Sequence, residues 1–226
     1  MKPENSAKLL KFPAPLAPKS PKKIRNVDGI KYFNSAQIKL IRRNARENGD
    51  LDAIRGSVTG VREWVAIDLL TSTGLRVSEA ANLRCGDIKA GYGESKIFVR
   101  KGKGDISGHV VIPESLKKHL KQFLRWKESH GEPIGEDDHL FVGQRGPWTS
   151  QAIQQIVKKY LKGLNLYEKR KSAHALRHSY AVELYSKEKD IRAVQKQLRH
   201  VSLQSTLVYA DVTEEAIGSQ IKGLWN

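Results

Sequence analysis

The fold of this chain is decided by the stretch His174-Ala-Leu-Arg177-His178, which is followed by Leu198-Arg199-His200 and by Tyr209. In a helix, residues at positions i, i+3 and i+4 lie on one face, so His174, Arg177 and His178 are expected to lie together. Imidazoles, guanidinium groups and a phenol can bind a phosphate and act on it as acid, base or nucleophile. These residues therefore indicate phosphate chemistry near Tyr209.

Two segments nearer the amino terminus extend this pattern: Thr71-Ser-Thr-Gly-Leu-Arg76-Val-Ser-Glu79 and the glycine-rich turn Arg100-Lys-Gly-Lys103-Gly104. With them, the chain resembles the tyrosine recombinase family, also called the phage integrase family, over about residues 30–226. Six positions match the family's active site in the family's order: Arg76, Lys103, His174, Arg177, His200 and Tyr209. The resemblance implies a mainly α-helical fold with a small β-hairpin or sheet (α+β), the fold of tyrosine recombinase catalytic domains.

The charge of the chain predicts a polyanionic partner. Its 40 Lys and Arg against 24 Asp and Glu give a formal net charge of +16 over 226 residues. Basic residues that neutralise phosphates release condensed counterions, which favours DNA, RNA or an acidic membrane as the partner. No apolar run approaches the roughly 20 residues that span a bilayer, and the amino terminus lacks a signal-peptide core, so a cytoplasmic protein is predicted. The single Cys85 excludes an intrachain disulfide and a cysteine-based zinc site.

Composition divides the chain into a basic, proline-rich tail, residues 1–26, and a catalytic domain, residues 27–226. The tail holds five of the eight prolines and seven basic residues against the single Glu4, so it cannot form a packed core. It is predicted to be flexible, either as a solubilising leader or as a polybasic arm along DNA. Subtracting its +6 from +16 leaves +10 on the domain. A helix over residues 213–225 with one apolar stripe is expected to end the chain, packed on its own domain or docked on a neighbouring protomer.

Apolar periodicity predicts mostly helix in the amino-terminal half. A first helix of modest length follows the cap-like pair Asn34-Ser35. A second, over Val61–Gly74, is apolar nearly all round, as a central buried helix would be. A short helix over Ser78–Leu83 leads to two strands, residues 96–100 and 109–112, which flank the glycine-rich turn as a β-hairpin.

The carboxyl-terminal half is predicted to be mainly α-helical. Two apolar stripes, over residues 116–124 and 153–161, indicate amphipathic helices, and Gly163 closes the second. Ser172 and Asp190 are expected to cap the two helices that carry the His and Arg residues.

Phosphoryl transfer on a DNA backbone requires charge stabilisation at the phosphate, an in-line nucleophile and a proton for the departing oxygen. The resemblance assigns Arg76 and Arg177 to the phosphate and Tyr209 to the attack. It assigns Lys103 to protonation of the 5′ oxygen, with Lys101 as the alternative in register. Without the resemblance, each Arg would be interpreted as part of a surface salt bridge and Lys103 as a solvated hairpin tip.

The remaining matched positions have supporting or binding roles. The resemblance makes His174 an acid, a base or a phosphate donor, and gives His200 a contact with the phosphate. Glu79 is expected to orient the site without reacting; otherwise it would form a plain ion pair with Arg76, three residues away.

Two features around the histidines leave the interpretation open. His174 and His178, at i and i+4, could form a metal pair, but the sequence has no Glu beside His174 and no cysteine ligand, so no metal is expected. His178 matches a structural position of the family. Arg199 is a departure, because many members have Gly before the histidine, and this puts in question the local turn and its access to phosphate.

The resemblance implies a site-specific DNA recombinase of the integrase or invertase type, in a short form with little beyond the catalytic domain. Tyr209 would form a 3′-phosphotyrosyl bond and release a 5′ hydroxyl, so that bond energy is conserved and no cofactor is required. The implied partner is double-stranded DNA with specific recombination sites, bound by a homotetramer that is a monomer or weak oligomer in solution. Accessory DNA-bending proteins and a nucleoid location in a prokaryote, phage or mobile element belong to the same expectation.

Three alternatives remain. A type IB topoisomerase shares the tyrosine chemistry but reseals the same strand. A DNA-binding regulator could keep the fold without catalysis, although the intact set of site residues argues against it. A basic RNA-binding module is disfavoured because the strands lack the aromatic pairs that stack bases.

Overall fold

The computed structural model describes residues 30–100, 107–169 and 171–211. Three of the predictions fall on other residues: the basic tail 1–26, Lys103 with its alternative Lys101, and the helix over 213–225. They lie outside the described residues.

Helices make up most of the described chain, as predicted. They are α1 (Ser35–Ile54), α2 (Thr59–Thr73), α3 (Val77–Ala81), α4 (Glu114–Ser129), α5 (Ser150–Gly163), α6 (Ala173–Glu188), α7 (Ile191–Leu198) and α8 (Gln204–Asp211). A single 3₁₀ turn, Cys85–Asp87, follows α3 in this part of the chain.

Two small antiparallel sheets complete the fold. Strands β1 (Ile88–Lys89), β2 (Lys96–Val99) and β3 (Gly108–Val111) pair in that order, and β4 (Val142–Gly143) pairs with β5 (Gly146–Pro147). The register of the β2–β3 hairpin sets Val99 opposite Gly108. The side-chain amide of Gln197, in α7, accepts a hydrogen bond from the backbone N–H of Val111 at 3.2 Å and donates one to its C=O at 2.7 Å. These bonds hold α7 beside the hairpin.

Helix α2 forms the centre of the fold, as its apolar sequence predicts. Every residue from Val65 to Thr73 is buried, and α1, α4 and α6 pack around the helix. The buried Asp68 in this run is paired, because Arg42 donates to it at 2.5 Å and His119 Nδ1 lies 2.8 Å from it. Its charge is therefore compensated within the core.

A second, smaller cluster joins α6, α7 and α8. Ala181, Val194, Leu198 and Tyr209 are its buried members, each at most 2% exposed. The packing of α8 against α6 buries the tyrosine that the sequence analysis predicted to be the nucleophile. This cluster therefore positions the candidate site.

Several local predictions are confirmed. Asn34 caps α1 with a full capping box, Gly74 ends α2 with φ 63°, and Asp190 caps α7 by accepting from two backbone N–H groups. The hairpin is present, with strand limits within one or two residues of the prediction. Such caps and turns depend on neighbouring residues, so a local pattern predicts them well.

Other local predictions are wrong. Helix α1 has 20 residues, because the i,i+4 ion pairs Arg43–Glu47 and Arg46–Asp50 continue it beyond its apolar positions. Ser172 occupies the N-cap of α6 but its side chain makes no capping hydrogen bond. Strands β1, β4 and β5 and helix α8 were not predicted, because their short segments carry no clear period.

No helix in the described ranges is both long enough and apolar enough to cross a bilayer. Within the same residues, no group of three or more His, Cys, Asp or Glu side chains is arranged to hold a metal ion.

Candidate active site

The loop between α2 and α3 positions Arg76. Gly74 is left-handed there, and a Cβ at this position would lie 2.5 Å from the ring of Tyr180, so only Gly fits. Arg76 then forms the N-cap of α3, and its backbone N–H donates to Glu79 Oε2 at 2.7 Å. The first turn of α3 thus fixes the Arg and the Glu relative to each other.

Glu79 gathers three guanidinium groups. Its Oε1 lies 2.9 Å from Arg76 Nη1 and 2.6 Å from Arg199 Nη2. Its Oε2 lies 3.9 Å from Arg177 Nη1. Burial by itself raises the pKa of this carboxyl, but the contact with Arg199 and the neighbouring positive charges outweigh burial and lower it. Glu79 is therefore a buried carboxylate with the contacts expected of a residue that orients the arginines.

Arg177 links two distant parts of the backbone. Its Nη1 donates to the carbonyl of Gly74 at 2.6 Å, and its Nη2 donates to the carbonyl of Leu198 at 2.8 Å. Burial, followed by the charge of Arg76, lowers the pKa of Arg177 to about 10, which still leaves it charged at neutral pH. The predicted phosphate ligand thus also holds the α2–α3 loop against the end of α7.

Tyr209 lies between two imidazoles at the buried face of α8. Its hydroxyl shares a 3.0 Å hydrogen bond with Nδ1 of His178, and its ring stacks near His200 with 6.4 Å between centroids. Burial raises the pKa of the phenol, although Arg177 and Arg76 act in the opposite direction. At neutral pH the tyrosine is therefore a protonated phenol whose proton must be removed before attack.

His178 is the functional candidate that the sequence analysis missed, because it was given a structural role only. The sequence signal for this residue is its spacing one turn after His174, which places both imidazoles on one helix face. The pKa of His178 is lowered to about 4 by burial, with the charges of His174 and Arg177 acting in the same direction. The imidazole is therefore neutral at pH 7 and able to accept a proton.

His200 follows α7 and packs beside the tyrosine. Its Nδ1 lies 2.9 Å from Thr206 Oγ1, which sets the orientation of the ring. Its pKa is also lowered to about 4, first by burial and then by the charges of Arg177 and Arg76.

His174 is exposed on α6, one turn before His178. Five of the six predicted catalytic residues, all except Lys103, thus lie in the described residues: Arg76 between α2 and α3, His174 and Arg177 on α6, His200 between α7 and α8, and Tyr209 on α8.

The described part of the site carries an excess of positive charge. Arg76, Arg177 and Arg199 surround the single carboxylate Glu79, which gives a formal charge of +2 with neutral imidazoles. A cluster of guanidinium groups at reduced dielectric stabilises charge that develops on a phosphate better than the same groups in water do.

The phage integrase family matches residues 33–216 of the chain, which include this whole cluster. The chain belongs to the phage integrase family. The resemblance drawn from the six spaced residues is thereby confirmed.

Relatives in the phage integrase family include recombinases of bacteria. The chain is 30% identical over 210 residues to tyrosine recombinase XerC of Treponema denticola, covering 88% of this chain and 68% of the relative. It is 34% identical over 158 residues to XerC of Caldanaerobacter subterraneus subsp. tengcongensis, covering 69% of this chain and 43% of the relative. The chain thus spans only part of the length of these relatives.

Solved structures of recombinases have the same fold. The XerA recombinase is 26% identical with a TM-score of 0.69, over 86% of this chain and 65% of that one. XerH bound to a difH substrate before cleavage is 26% identical with a TM-score of 0.66, over 87% of this chain and 53% of that one. The predicted α+β fold of tyrosine recombinase catalytic domains is therefore confirmed.

The two partly buried imidazoles His178 and His200 predict that acid destabilises the folded chain. In the unfolded chain His178 and His200 take up protons near pH 6.5, whereas in the folded chain their pKa is about 4. Between these values the unfolded state binds more protons, so folding stability falls as the pH is lowered through this window. We expect His178→Gln to flatten the slope of stability against pH from 6.5 towards 4.

Urea unfolding at a series of pH values, followed by circular dichroism, measures this slope. His130→Gln is the matched control for the substitution itself, because His130 is exposed at the end of α4, outside the candidate site. Parallel curves for the wild type and His178→Gln would contradict the assignment of a neutral, partly buried His178.

Proposed function

We propose that this chain acts as a site-specific DNA recombinase, cleaving and rejoining DNA strands through a 3′-phosphotyrosyl intermediate. The observation that carries the proposal is the hydroxyl of Tyr209, held 3.0 Å from a neutral imidazole and under the electrostatic influence of two arginines. A phenol next to a base and beside positive charge has the arrangement needed to attack a phosphodiester. Family membership supports the same reaction.

The reaction transfers one phosphoryl group from the 5′ oxygen to Tyr209. The number of phosphodiester bonds is unchanged, so no cofactor is required. The Tyr209 oxygen forms a bond to the scissile phosphorus, and the bond from phosphorus to the 5′ oxygen breaks. His178, in the tautomer with Nδ1 unprotonated, accepts the phenolic proton through the 3.0 Å hydrogen bond. In the rejoining step a 5′ hydroxyl attacks the phosphotyrosine and the proton returns to the phenolate.

The arginines would stabilise the negative charge of the transition state. Arg76 lies at the edge of the site with a side chain 30% exposed, which leaves it accessible to a phosphate. The more buried Arg177, 6% exposed, contributes charge and fixes the carbonyls around it. Glu79 keeps these guanidinium groups in place and does not react.

His174 and His200 are proposed to contact the phosphate on either side of the nucleophile. His174 is exposed on the helix face that carries His178, and His200 packs on the ring of Tyr209. An imidazole N–H can donate a hydrogen bond to a phosphate oxygen.

Lys103 is proposed to protonate the departing 5′ oxygen. Its support comes from the Lys-Gly-Lys-Gly sequence and from the described ends of the hairpin. Gly108, five residues after Lys103, lies against Arg199, since a Cβ on Gly108 would be 3.3 Å from Arg199 Cδ. A chain of five residues reaches at most about 18 Å, which ties Lys103 to the neighbourhood of the site.

The proposed partner is double-stranded DNA with specific recombination sites. The net charge of +16 favours a phosphate backbone, and XerH, one of the similar proteins, has been solved bound to its difH substrate. A homotetramer on DNA, exchanging strands in two rounds, is proposed because recombination joins two duplexes at two cleavage sites each. Docking of the segment 213–225 on a neighbouring protomer would couple Tyr209 to this assembly.

Sequencing of DNA covalently bound to the protein tests the proposal. Denatured extracts of cells expressing the chain should yield adducts whose DNA ends share one sequence, and junctions between two such sites should appear in the genome. Cells expressing Tyr209→Phe serve as the control and should yield neither.

The possible results separate the alternatives. Adducts without new junctions would favour resealing of the same strand, as by a type IB topoisomerase. The absence of adducts from the wild type would contradict the proposed function.

A further inference from the structure

Arg199 has a backbone conformation that normally belongs to glycine. It ends α7 with φ 52° and ψ 44°, and its N–H caps the carbonyls of Gln195 and Lys196. The left-handed region is strained for a residue with a Cβ. A Gly would make the same turn without this cost, so the turn itself does not require the side chain of Arg199.

The side chain of Arg199 leads from this turn into the candidate site. Its stem packs on β3, where a Cβ added to Gly108 would lie 3.3 Å from Arg199 Cδ. Its head is buried, with a side chain 6% exposed, and Nη2 lies 2.6 Å from Glu79 Oε1. The absence of a side chain at Gly108 therefore leaves room for the path of Arg199 towards the arginines that surround Glu79.

The head of Arg199 carries more hydrogen-bond donors than the protein satisfies. Within the described residues, its Nε and Nη1 atoms are buried and have no hydrogen-bond partner, and Nη2 meets Glu79 as an ion pair without an aligned hydrogen bond. Buried donors without partners are rare in proteins and are costly to keep, particularly on a charged group. A ligand with several acceptor oxygens would satisfy them.

Arg199 also lines an open groove at the protein surface. It runs between β3 and α7, and its lining includes His109, Lys196, Arg199 and His200. His200, which lines this groove, also lies near Tyr209, with 6.4 Å between the ring centroids. A DNA phosphate lying in this groove would be close to both Arg199 and His200.

We infer that Arg199 is a third phosphate-binding arginine of the cleavage site, donating from Nε and Nη1 to a non-bridging oxygen of the scissile phosphate. This inference rests on the proposed function. The terminal nitrogens of Arg177 already donate to the carbonyls of Gly74 and Leu198, whereas the donors of Arg199 have no such partners. The hydrogen-bond donors of Arg199 are thus available to a phosphate, whereas those of Arg177 bind backbone carbonyls. Glu79 balances part of the charge of Arg199 while DNA is absent.

The test replaces Arg199 by Gly, which suits the backbone and removes only the side chain. The substrate is a nicked duplex carrying the site recovered from covalent adducts, with either a normal phosphate or a neutral methylphosphonate at the scissile position. We expect Arg199→Gly to form the adduct more slowly by on the order of a hundredfold on the phosphate. On the methylphosphonate the deficit should shrink by at least about tenfold, because that group has lost the charge that Arg199 stabilises.

Lys189→Gly is the matched control. Lys189 is also a basic residue with positive φ (53°) at the end of a helix, but it is exposed on α6. It should cleave at the wild-type rate on both substrates, and both Gly variants should keep the wild-type melting temperature or exceed it, because each relieves left-handed strain.

The outcomes separate this inference from the proposed function. If the wild type forms no adduct, the proposed function fails and the inference fails with it. If the wild type reacts and Arg199→Gly reacts equally fast, only the inference is overturned. An equal deficit of Arg199→Gly on both substrates would also overturn it, because Arg199 would then act only by holding Glu79. A collapse of the melting temperature of Arg199→Gly would show that the side chain is structural, which contradicts the inference in the same way.

Discussion

Tyr209→Phe should abolish the covalent protein–DNA adduct and leave DNA binding nearly unchanged. The substitution removes one oxygen, the proposed nucleophile, while the arginines around Glu79 stay in place. Loss of the hydrogen bond to His178 should lower the free energy of unfolding by only about 1 kcal/mol. A denaturing gel of the protein with the nicked duplex measures the adduct, and a gel shift measures binding.

Tyr180→Phe is the matched control for this change. Tyr180 packs in the same cluster as Tyr209, and its hydroxyl accepts one hydrogen bond, from Gln197 at 3.0 Å. Its loss should cost a similar amount of stability and leave adduct formation intact. An adduct formed by Tyr209→Phe would mean that another residue is the nucleophile.

Arg177→Ala should lose both cleavage and a large part of the folding stability. The side chain is 6% exposed and donates to two carbonyls, those of Gly74 and Leu198, which would be left without these donors. Charged hydrogen bonds of this kind are worth about 1.5–3 kcal/mol each, so the loss of both should lower the free energy of unfolding by about 3–6 kcal/mol. Urea unfolding of the free protein measures this loss.

Arg76→Ala provides the contrast. Its side chain is 30% exposed and its ion pair with Glu79 spans only three residues, so the stability should change by about 1 kcal/mol. Adduct formation should nevertheless fall by about a hundredfold or more, because a group that stabilises the phosphate is lost. Equal stability of the two Ala variants would contradict the bridging role of Arg177.

Short-range features of this chain were predictable because their partners are close in sequence. The capping box at Asn34, the left-handed Gly74 and the cap at Asp190 each involve residues within about one turn. The family was predictable for a different reason, since its residue types and their spacing can be recognised without any knowledge of the contacts.

The contacts within the site were not predictable in the same way. The sequence analysis assigned Arg177 to phosphate alone, yet its hydrogen bond to the carbonyl of Gly74 joins residues 103 positions apart. It gave His178 a structural role, whereas the packing of α8 on α6 brings Tyr209 within 3.0 Å of that imidazole. Lys103 and the helix over 213–225 stay predictions.

The sequence by itself determined the α+β class, the buried central helix and the identity of five candidate residues in the described part of the site, because periodicity and residue type act locally. Only the tertiary structure decided which of these groups touch. Burial among α2, α6, α7 and α8 lowers the pKa of His178 and His200 and raises that of Tyr209. The same packing places the guanidinium of Arg199 beside Glu79. Desolvation and charge coupling depend on distances through space, and these distances exist only once the helices have packed.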